Sequence, residues 1–461
     1  MSTACSQNPL SAAARVSGLL FILTLAVCLS MATSPSLVGV AMGAATLLWI
    51  LFRHPVTMLG LLLAFMPLDY MAIELGKFFG LPHMTLISAC TKEVPLLFLL
   101  LLLWRRNGCE PTTSDWWLVA FFTIAAVRTS LDGSLAGLAT DFSFIIPYFV
   151  GRVTVLRAEQ ETHWAKGAMW IAAILSVLGL IEVFVLGEGP RALLYLATDS
   201  QTRDGGLTAS FHGIGFAGMR EAATMVGPNG FGVLCMIALV LWWVYCRSLL
   251  PGAMIAAGLI CSVTRSAWLG ASASIFLLAF LMHQKTRFLF FLFIVLVLVA
   301  VSIPVIGLGD YLFFNKTGQD PSAEGHRHEI ADGMQYAVEH PFGSGNSDVN
   351  ALSLQANLNA KTFETTYPNF AAEYGIVAAL CFAGWLGSTG YKLWRTPTPI
   401  GHAALGILLS LSLVMIFTLP LIDRRLACWA CFPIGLALRE GADPAGKASS
   451  AIDQTEMDHV R

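Results

Sequence analysis

The sequence predicts an all-α polytopic membrane protein, and two observations carry this prediction. Of its 461 residues, 56% are hydrophobic and only 12% are charged, whereas about 25% of residues are charged in an average soluble domain. The mean hydropathy is correspondingly high, at +0.69. In addition, apolar runs long enough to cross about 30 Å of hydrocarbon as helices recur along nearly the whole chain. We therefore expect about 12–14 transmembrane helices and one large outer-face loop that contains short helices.

The predicted spans form two groups on either side of a long polar interval. The first group comprises 16–32, 37–52, 56–70, 88–104, 116–131, 135–150, 168–186, 223–245, 251–263, 266–283 and 288–307. The second group comprises 369–390, 400–419 and 426–438. The chain thus divides into spans within 1–309, with a smaller outer loop at 187–222, a large periplasmic loop at 310–366, and C-terminal spans within 367–439. Residues 440–461 are polar and rich in Ala and Ser, which predicts a disordered cytoplasmic tail.

The distribution of Lys and Arg orients these spans. With a cytoplasmic N-terminus, most basic residues fall on the inner side, as the positive-inside rule requires. The same topology leaves a minority of arginines on the outer face: Arg191, Arg203, Arg220, Arg265, Arg327, Arg424 and Arg425. Something other than topology must account for these arginines.

Bulk charge and cysteine usage exclude several classes of function. A net charge of −2 without a cluster of Lys and Arg argues against a nucleic-acid partner. The ten cysteines lie mostly inside predicted helices, so a metal or redox site is not expected. We predict neither a metal ion nor a cofactor.

Arg265 is the first candidate for chemistry. It lies in Thr264-Arg265-Ser266 between two apolar runs that leave almost no room for a loop. An arginine that snorkels to the membrane interface is the alternative explanation. However, a guanidinium flanked by two hydroxyl residues on the outer face suits an oxyanion, because its planar fork of donors matches phosphate. Arg265 is therefore predicted to bind phosphate.

Arg220 precedes a second candidate element, which contains Gly227-Pro228-Asn229-Gly230. Pro and Gly signal the entry to a helix here, and a helix that begins at this point directs free backbone N–H groups outward, where they attract anions. An ordinary loop that leads into a helix explains the pattern equally well. Arg220 and Asn229 are assigned to substrate binding.

Arg327 and His328 belong to a charged cluster that the predicted helix 330–339 follows. Solvated charge is the default explanation for such a cluster. The helix then leads into the Gly-rich turn 341–345, which predicts a compact unit able to fold over the membrane face. On this basis Arg327 is a candidate for catalysis and His328 for substrate binding.

Glu364 and Tyr367 lie just before a predicted transmembrane helix, and Tyr367 is assigned to substrate binding. A carboxylate at this place can cap the helix and complement its dipole. It can equally act as a general base for a sugar hydroxyl, since a carboxyl group with a pKa near 4.3 is ionised at neutral pH. Glu373 lies farther along the same predicted helix and needs a polar partner in lipid.

The C-terminal half of the chain resembles a family of membrane glycosyltransferases, the O-antigen ligases and Wzy-type O-antigen or exopolysaccharide polymerases. The residues that carry the resemblance are the corner 264–268, Arg327 with 341–345, and Glu364-Thr365-Thr366-Tyr367 followed by 373–376. The stretch 220–229 resembles an earlier Arg, Pro-Asn element of the same proteins. Each motif alone is degenerate. The resemblance therefore depends on the order of the motifs, their spacing and their placement on the outer face.

The resemblance implies a metal-independent inverting transfer on the periplasmic face of a bacterial inner membrane. It assigns Arg265 and Arg327, with Arg220, to the pyrophosphate of an undecaprenyl-diphosphate-linked glycan, and Glu364 to proton abstraction. Ligases of the family carry His where this chain has Glu364, which favours a polymerase of exopolysaccharide or O-antigen repeat units. The partners expected in the same membrane are a chain-length regulator and a flippase.

Three other interpretations remain open at this point. One is an O-antigen ligase that transfers glycan to a lipid or protein acceptor. Another is a transporter or flippase of lipid-linked oligosaccharide, and the third is a noncatalytic protein that only binds polysaccharide-assembly proteins. Transporters place ionisable residues near the midplane and are often built from repeated halves. In this chain the charges cluster at predicted helix ends and no repeat is evident, which favours the enzyme.

Overall fold

A computed structural model describes residues 50, 53–80, 84–132, 135–187, 222–225, 227–306, 321–345, 363 and 365–440. Across these residues the chain forms helices and no strand. The all-α fold is therefore confirmed. The predicted spans 16–32 and 37–52, the loop 187–222 and the tail 440–461 lie wholly or mostly outside the described residues.

The helices before the polar interval follow the predicted apolar runs closely. They are α1 (Pro55–Phe65), α2 (Asp69–Phe78), α3 (Met84–Asn107), α4 (Thr113–Asp132), α5 (Leu135–Asp141), α6 (Ile145–Val153), α7 (Ala158–Ile181), α8 (Pro228–Tyr245), α9 (Leu249–Cys261), α10 (Arg265–Leu281) and α11 (Lys285–Ile306). A short 3₁₀ turn, Met66–Leu68, joins α1 to α2, and a π turn, Glu182–Leu186, extends α7. Helix bounds thus differ from the predicted spans mostly by a few residues.

The remaining helices lie within and after the polar interval. They are α12 (Pro321–Glu339), α13 (Thr366–Tyr374), α14 (Ile376–Trp394), α15 (Pro399–Val414) and α16 (Arg424–Glu440). The helix predicted at 330–339 begins nine residues earlier, at Pro321, so the charged cluster around Arg327 is helical. No strong helix breaker separates the cluster from the apolar periodicity, which is why one helix includes both.

Within the described residues, four helical segments are long and apolar enough to cross a membrane: Pro55–Phe78, Ala158–Leu186, Pro228–Tyr245 and Ile376–Trp394. The described helices α9, α10 and α15 are also apolar but shorter, with at most 17 residues each. The chain is a multi-pass membrane protein. The total of 12–14 spans remains a prediction, because part of the chain lies outside the described residues.

Two predicted spans are not single helices. The run 135–150 folds as α5 and α6, which are separated by a turn at 142–144. The run 369–390 is divided at Gly375, which has φ of +96° and ends α13 before α14 begins. Hydropathy alone does not register these breaks, because a single acidic residue beside each one, Asp141 or Glu373, leaves the surrounding run apolar on average.

Helix α8 forms the centre of the bundle. Its side chains are buried almost all round, including those of Trp242 and Trp243, as expected for a helix that is apolar on every face. It packs against α7, α9, α10 and α15. Helix α8 lies inside the protein because none of its 18 residues is charged.

Helices α10 and α15 run antiparallel and approach closely through small residues. A Cβ on Gly270 would lie 2.9 Å from the backbone oxygen of Ser410, and Ser274 donates to the carbonyl of Gly406 at 2.7 Å. Small residues permit such close backbone approach in membranes, and hydroxyl groups add interhelical hydrogen bonds. These two contacts fix the register of the pair.

Polar contacts tie the helix ends together at the end of the bundle that holds Arg152. The Arg152 guanidinium forms a buried ion pair with Asp115 at 3.0 Å, and Tyr148 donates to the same carboxylate at 2.8 Å. Arg439, at the end of α16, donates to the carbonyl of Arg152 at 3.2 Å. The opposite end of the bundle, called here the Arg265 end, holds the candidate site.

Candidate functional site

Arg265 is the first residue of α10, at the end of a three-residue turn after α9. Val263 in this turn has φ of +51°, a left-handed conformation that a β-branched residue rarely adopts. The strained backbone reverses the chain within three residues and leaves Arg265 half-buried at a helix start. Arg265 therefore lies at the N-terminus of α10, which carries a positive partial charge.

A second helix start is fastened to this turn. The Thr264 hydroxyl donates to the carbonyl of Pro228 at 3.2 Å and lies 3.5 Å from the amide oxygen of Asn229. Neither the Gly227 end of α8 nor the Thr264 end of α10 has a side-chain cap hydrogen bond. The structure therefore brings Arg265 and the exposed Asn229 together, beside two helix N-termini that attract anions.

Gly232 makes this approach possible. A Cβ at position 232 would lie 2.7 Å from the Cβ of Thr264 and 2.8 Å from the hydroxyl of Ser262. A side chain here would push the turn away from α8. The glycine is thus a packing requirement of the corner rather than a flexible joint.

The segment after Glu364 reaches the same level of the bundle. Gly270 lies beside Ser410, and Ser274 beside Gly406, so the first turn of α10 extends to the C-terminal end of α15. At that end, the backbone N–H of Thr366 donates to the carbonyl of Met415 at 3.0 Å. The start of α10 and the start of α13 therefore lie in one layer.

Tyr367 is fixed to the same helix end. Its hydroxyl donates to the carbonyl of Ser412 at 3.0 Å, and the Thr366 hydroxyl donates to the carbonyl of Thr418 at 2.6 Å. Burial raises the pKa of Tyr367, so its hydroxyl stays protonated and continues to donate at neutral pH. Tyr367 is predicted to bind substrate, and in the structure its hydroxyl also positions α13 through Ser412.

Two predicted site residues, Glu364 and Arg220, lie outside the described residues. Their nearest described neighbours are buried: Phe363 and Thr365 on either side of Glu364, and Ala222 after Arg220. Their assigned roles remain predictions.

Arg327 and His328 lie exposed on α12, which the structure holds against α13. A Cβ on Gly333 would lie 2.7 Å from a side-chain atom of Pro368, and the rings of Tyr336 and Phe363 lie 5.9 Å apart. Arg327 is six residues before Gly333, or about 9 Å along the helix. The arm that carries Arg327 is thus docked on the segment that flanks Glu364.

The Gly-rich turn 341–345 completes this docking. Ser344 and Gly345 donate to the carbonyls of Ala372 and Glu373 at 2.9 Å each, and Arg128 of α4 donates to the carbonyl of Gly343 at 3.0 Å. The turn is bound to the break between α13 and α14. The predicted compact unit therefore exists, and it covers the end of α13.

Glu373 is buried at this break and has the polar partner that the sequence required. Asn369 donates to its carboxylate at 3.1 Å. Nearby, the Tyr374 hydroxyl donates to the buried carboxylate of Asp141 at 2.5 Å. These hydrogen bonds give each acidic group a donor, which lowers the cost of burying it.

A group of charged residues that the sequence analysis did not assign lies beside the two helix starts. Lys92 of α3 pairs with the buried Asp69, Arg424 of α16 pairs with Glu93, and Arg425 pairs with Asp423 at 2.8 Å. Asp423 lies 3.9 Å from the position that a Cβ on Gly230 would occupy. The outer placement of Arg424 and Arg425 against the positive-inside rule was the signal that could have identified this group.

Among the described cysteines, Cys428 and Cys431 of α16 have the Cys-x-x-Cys spacing, and both are buried free thiols. In the part of the chain that the structure describes, no group of three or more His, Cys, Asp and Glu side chains is arranged to hold a metal ion.

Comparison with known families agrees with this arrangement. Residues 250–387 match the family model described as O-antigen ligase. The match begins in α9 and ends in α14, so it includes Arg265, Arg327, Glu364 and Tyr367. The resemblance to the O-antigen ligase and Wzy-type superfamily is therefore confirmed for this segment. A search of curated proteins found no match to the chain.

Proposed function

We propose that this protein is a glycosyltransferase that polymerises undecaprenyl-diphosphate-linked oligosaccharide repeat units on the periplasmic face of the bacterial inner membrane. The observation that supports this most directly is the junction of α8 and α10, which sets Arg265 beside Asn229 in the layer where the segment after Glu364 begins. The family match over residues 250–387 supports the same class of enzyme.

The diphosphate of the donor binds at the junction of the two helix starts in this proposal. The helix dipoles and backbone N–H groups at the starts of α8 and α10 favour an anion, and the Arg265 guanidinium supplies a charged fork of donors. As the bond from the anomeric carbon to the diphosphate oxygen breaks, negative charge grows on the leaving group. Fixed positive groups at that place stabilise the transition state without a metal ion.

The acceptor hydroxyl attacks the anomeric carbon from the opposite face, so the configuration inverts. Glu364 takes the hydroxyl proton as the new carbon–oxygen bond forms, and undecaprenyl diphosphate departs. Arg327 acts on the diphosphate from the α12 arm, and the packing of Gly333 in this arm against Pro368 supports this role. Arg220, His328 and Tyr367 contribute to binding of the glycan and the diphosphate.

A ligase is the second candidate, because the matching family model is described as O-antigen ligase. A ligase transfers a finished glycan from the same kind of donor to a fixed acceptor. The presence of Glu364 where ligases of the family carry His favours the polymerase. A chain-length regulator and a flippase are the proposed partners in the same membrane.

The test measures the length of the polysaccharide in the native host when the protein carries Arg265→Ala or Glu364→Gln, and compares it with the wild type. Immunoblots control for protein level, and Arg395→Ala and Glu339→Gln, both exposed positions elsewhere on the chain, are matched controls. A polymerase predicts loss of long chains and accumulation of single lipid-linked repeat units outside the cytoplasm. Accumulation of long lipid-linked chains indicates a ligase instead, and retention of repeat units on the inner face indicates a flippase.

A further inference from the structure

An apolar cavity of about 410 Å³ lies between α3, α4, α5, α6 and α16. Most of its wall is hydrocarbon and aromatic ring, from Leu96, Leu118, Phe122, Phe142, Ile146 and Phe149. The turn between α5 and α6 forms part of this wall. The break in the predicted span 135–150 thus leaves space that a continuous helix would fill.

One end of the cavity is charged. Lys92, Glu93 and Arg424 line it there, with 10%, 37% and 31% of their side chains exposed. Arg424 pairs with Glu93, but a guanidinium has five N–H donors, so it can hold the carboxylate and a phosphate together. This end is suited to an anionic head, and the apolar wall to a hydrocarbon chain.

The charged end adjoins the two helix starts of the candidate site through two separate contacts. Met66 lines the cavity, and the next residue, Pro67, accepts a hydrogen bond from Thr224 at 2.7 Å, five residues before Asn229. On the other side, Asp423 precedes Arg424 and lies beside Gly230. An anion at the start of α8 therefore has its attached chain next to the cavity.

The cavity is open towards the surface of the bundle. Val119 and Phe122 of α4 line it and are each 41% exposed, and Ala139 of α5 is also exposed. These side chains belong to the apolar outer surface of the helices, which faces lipid in a membrane protein. A lipid chain can therefore enter sideways from the bilayer while its head remains at the charged end.

We propose that this cavity binds the polyprenyl chain of the lipid-linked donor at the isoprene units nearest the diphosphate, an inference that rests on the proposed function. A single space lined by rings fits one chain, and a polyprenyl lipid has one chain whereas a bilayer phospholipid has two. The cavity holds the lipid as the glycan is transferred. Lys92 and Arg424 lie at its diphosphate end.

The test uses the purified full-length protein in lipid nanodiscs and a glycan-free polyprenyl diphosphate that bears a photoreactive diazirine near its head. Labelled peptides are mapped by mass spectrometry. We expect label on residues 118–149, and about tenfold less label in Ala139→Trp and Val119→Trp, which fill the cavity from α5 and α4 respectively. Leu131→Trp, at a position 75% exposed on α4, is the control and keeps the label.

The outcomes separate the two proposals. If the label appears only on other helices and Ala139→Trp does not change it, the cavity assignment is wrong, but the proposed function is unaffected. Absence of label on the wild-type protein overturns both. A photoreactive phospholipid provides a further check. If it labels residues 118–149 and polyprenyl diphosphate does not displace it, the cavity is an ordinary lipid site and the inference is wrong. Thermal unfolding of each variant shows whether the tryptophan is tolerated.

Discussion

The hydroxyl of Thr264 donates to the backbone carbonyl of Pro228 at 3.2 Å, and this bond joins the starts of two helices that are 36 residues apart in sequence. Arg265 follows the first of these residues and Asn229 the second. Two helix N-termini thus meet, and Arg265 is the first residue of one of them. The arrangement depends on a close contact between α8 and the turn 262–264, which the first prediction tests.

Gly232→Val is expected to abolish polymer formation and to lower the free energy of unfolding by about 1–3 kcal/mol. The new side chain would begin 2.7 Å from the Cβ of Thr264, so the turn that carries Arg265 must shift. Thermal unfolding in detergent and the length distribution of the polysaccharide are the measurements. Gly167→Val is the control, because no atom lies within 4 Å of a Cβ at that position. Normal polymer from Gly232→Val would show that the spacing of the two helix starts does not matter.

Arg265→Lys is expected to reduce polymer formation about tenfold or more, although the positive charge is retained. An ammonium group cannot reproduce the planar fork with which guanidinium binds phosphate oxygens, and a hydrogen bond to a charged group contributes about 1.5–3 kcal/mol. Initial rates with isolated lipid-linked repeat units provide the measurement. Arg395→Lys, at an exposed position on the ring of Tyr391, is the control. Equal rates for wild type and Arg265→Lys would support the snorkelling explanation.

Gly375→Ala is expected to release the turn 341–345 from α13. Gly375 has φ of +96°, and a Cβ there would lie 2.8 Å from the carbonyl carbon of Phe342. The amides of Ser344 and Gly345, which donate to α13, should then exchange hydrogen faster, as hydrogen exchange with mass spectrometry can detect. In Gly387→Ala, where no atom lies within 4 Å, exchange of these amides should stay slow. Unchanged exchange in Gly375→Ala would refute the docking role.

Tyr374→Phe is expected to lower the free energy of unfolding by about 1–3 kcal/mol, because the buried Asp141 carboxylate loses a donor. A double-mutant cycle with Asp141→Asn measures the coupling between the two side chains, which we expect to be about 0.5–3 kcal/mol. Tyr391→Phe, at a residue 58% exposed, is the control for loss of a phenolic hydroxyl. Additive effects of the two changes would mean that the hydrogen bond contributes nothing to stability.

Tyr367→Phe separates two roles for a residue assigned to substrate binding. If its hydroxyl chiefly positions α13 through Ser412, the variant should lose about 1 kcal/mol of stability and retain most of its activity. The measurements are thermal unfolding and the rate of polymer formation at saturating donor. A large loss of rate without a loss of stability would instead place the hydroxyl on the substrate.

The amino-acid sequence was sufficient to predict an all-α membrane protein and to locate most of the described helices to within a few residues. In lipid the backbone N–H and C=O groups must be hydrogen-bonded within the segment, so an apolar run such as that of α8 specifies a helix directly. It also identified the corner at Arg265, because Thr-Arg-Ser between two apolar runs leaves room for little except a tight turn. The family resemblance followed from the same residues.

Where the spans break and which residues meet became clear from the three-dimensional packing alone. The breaks at 142–144 and Gly375 fall within runs that are apolar on average, so the hydropathy of each run does not reveal them. The contact of Thr264 with Pro228 and the ion pair of Arg424 with Glu93, which are 331 residues apart, depend on helix packing. Packing is set by close contacts between distant small residues such as Gly232 and Gly270, and no local pattern in the sequence encodes which surfaces will meet.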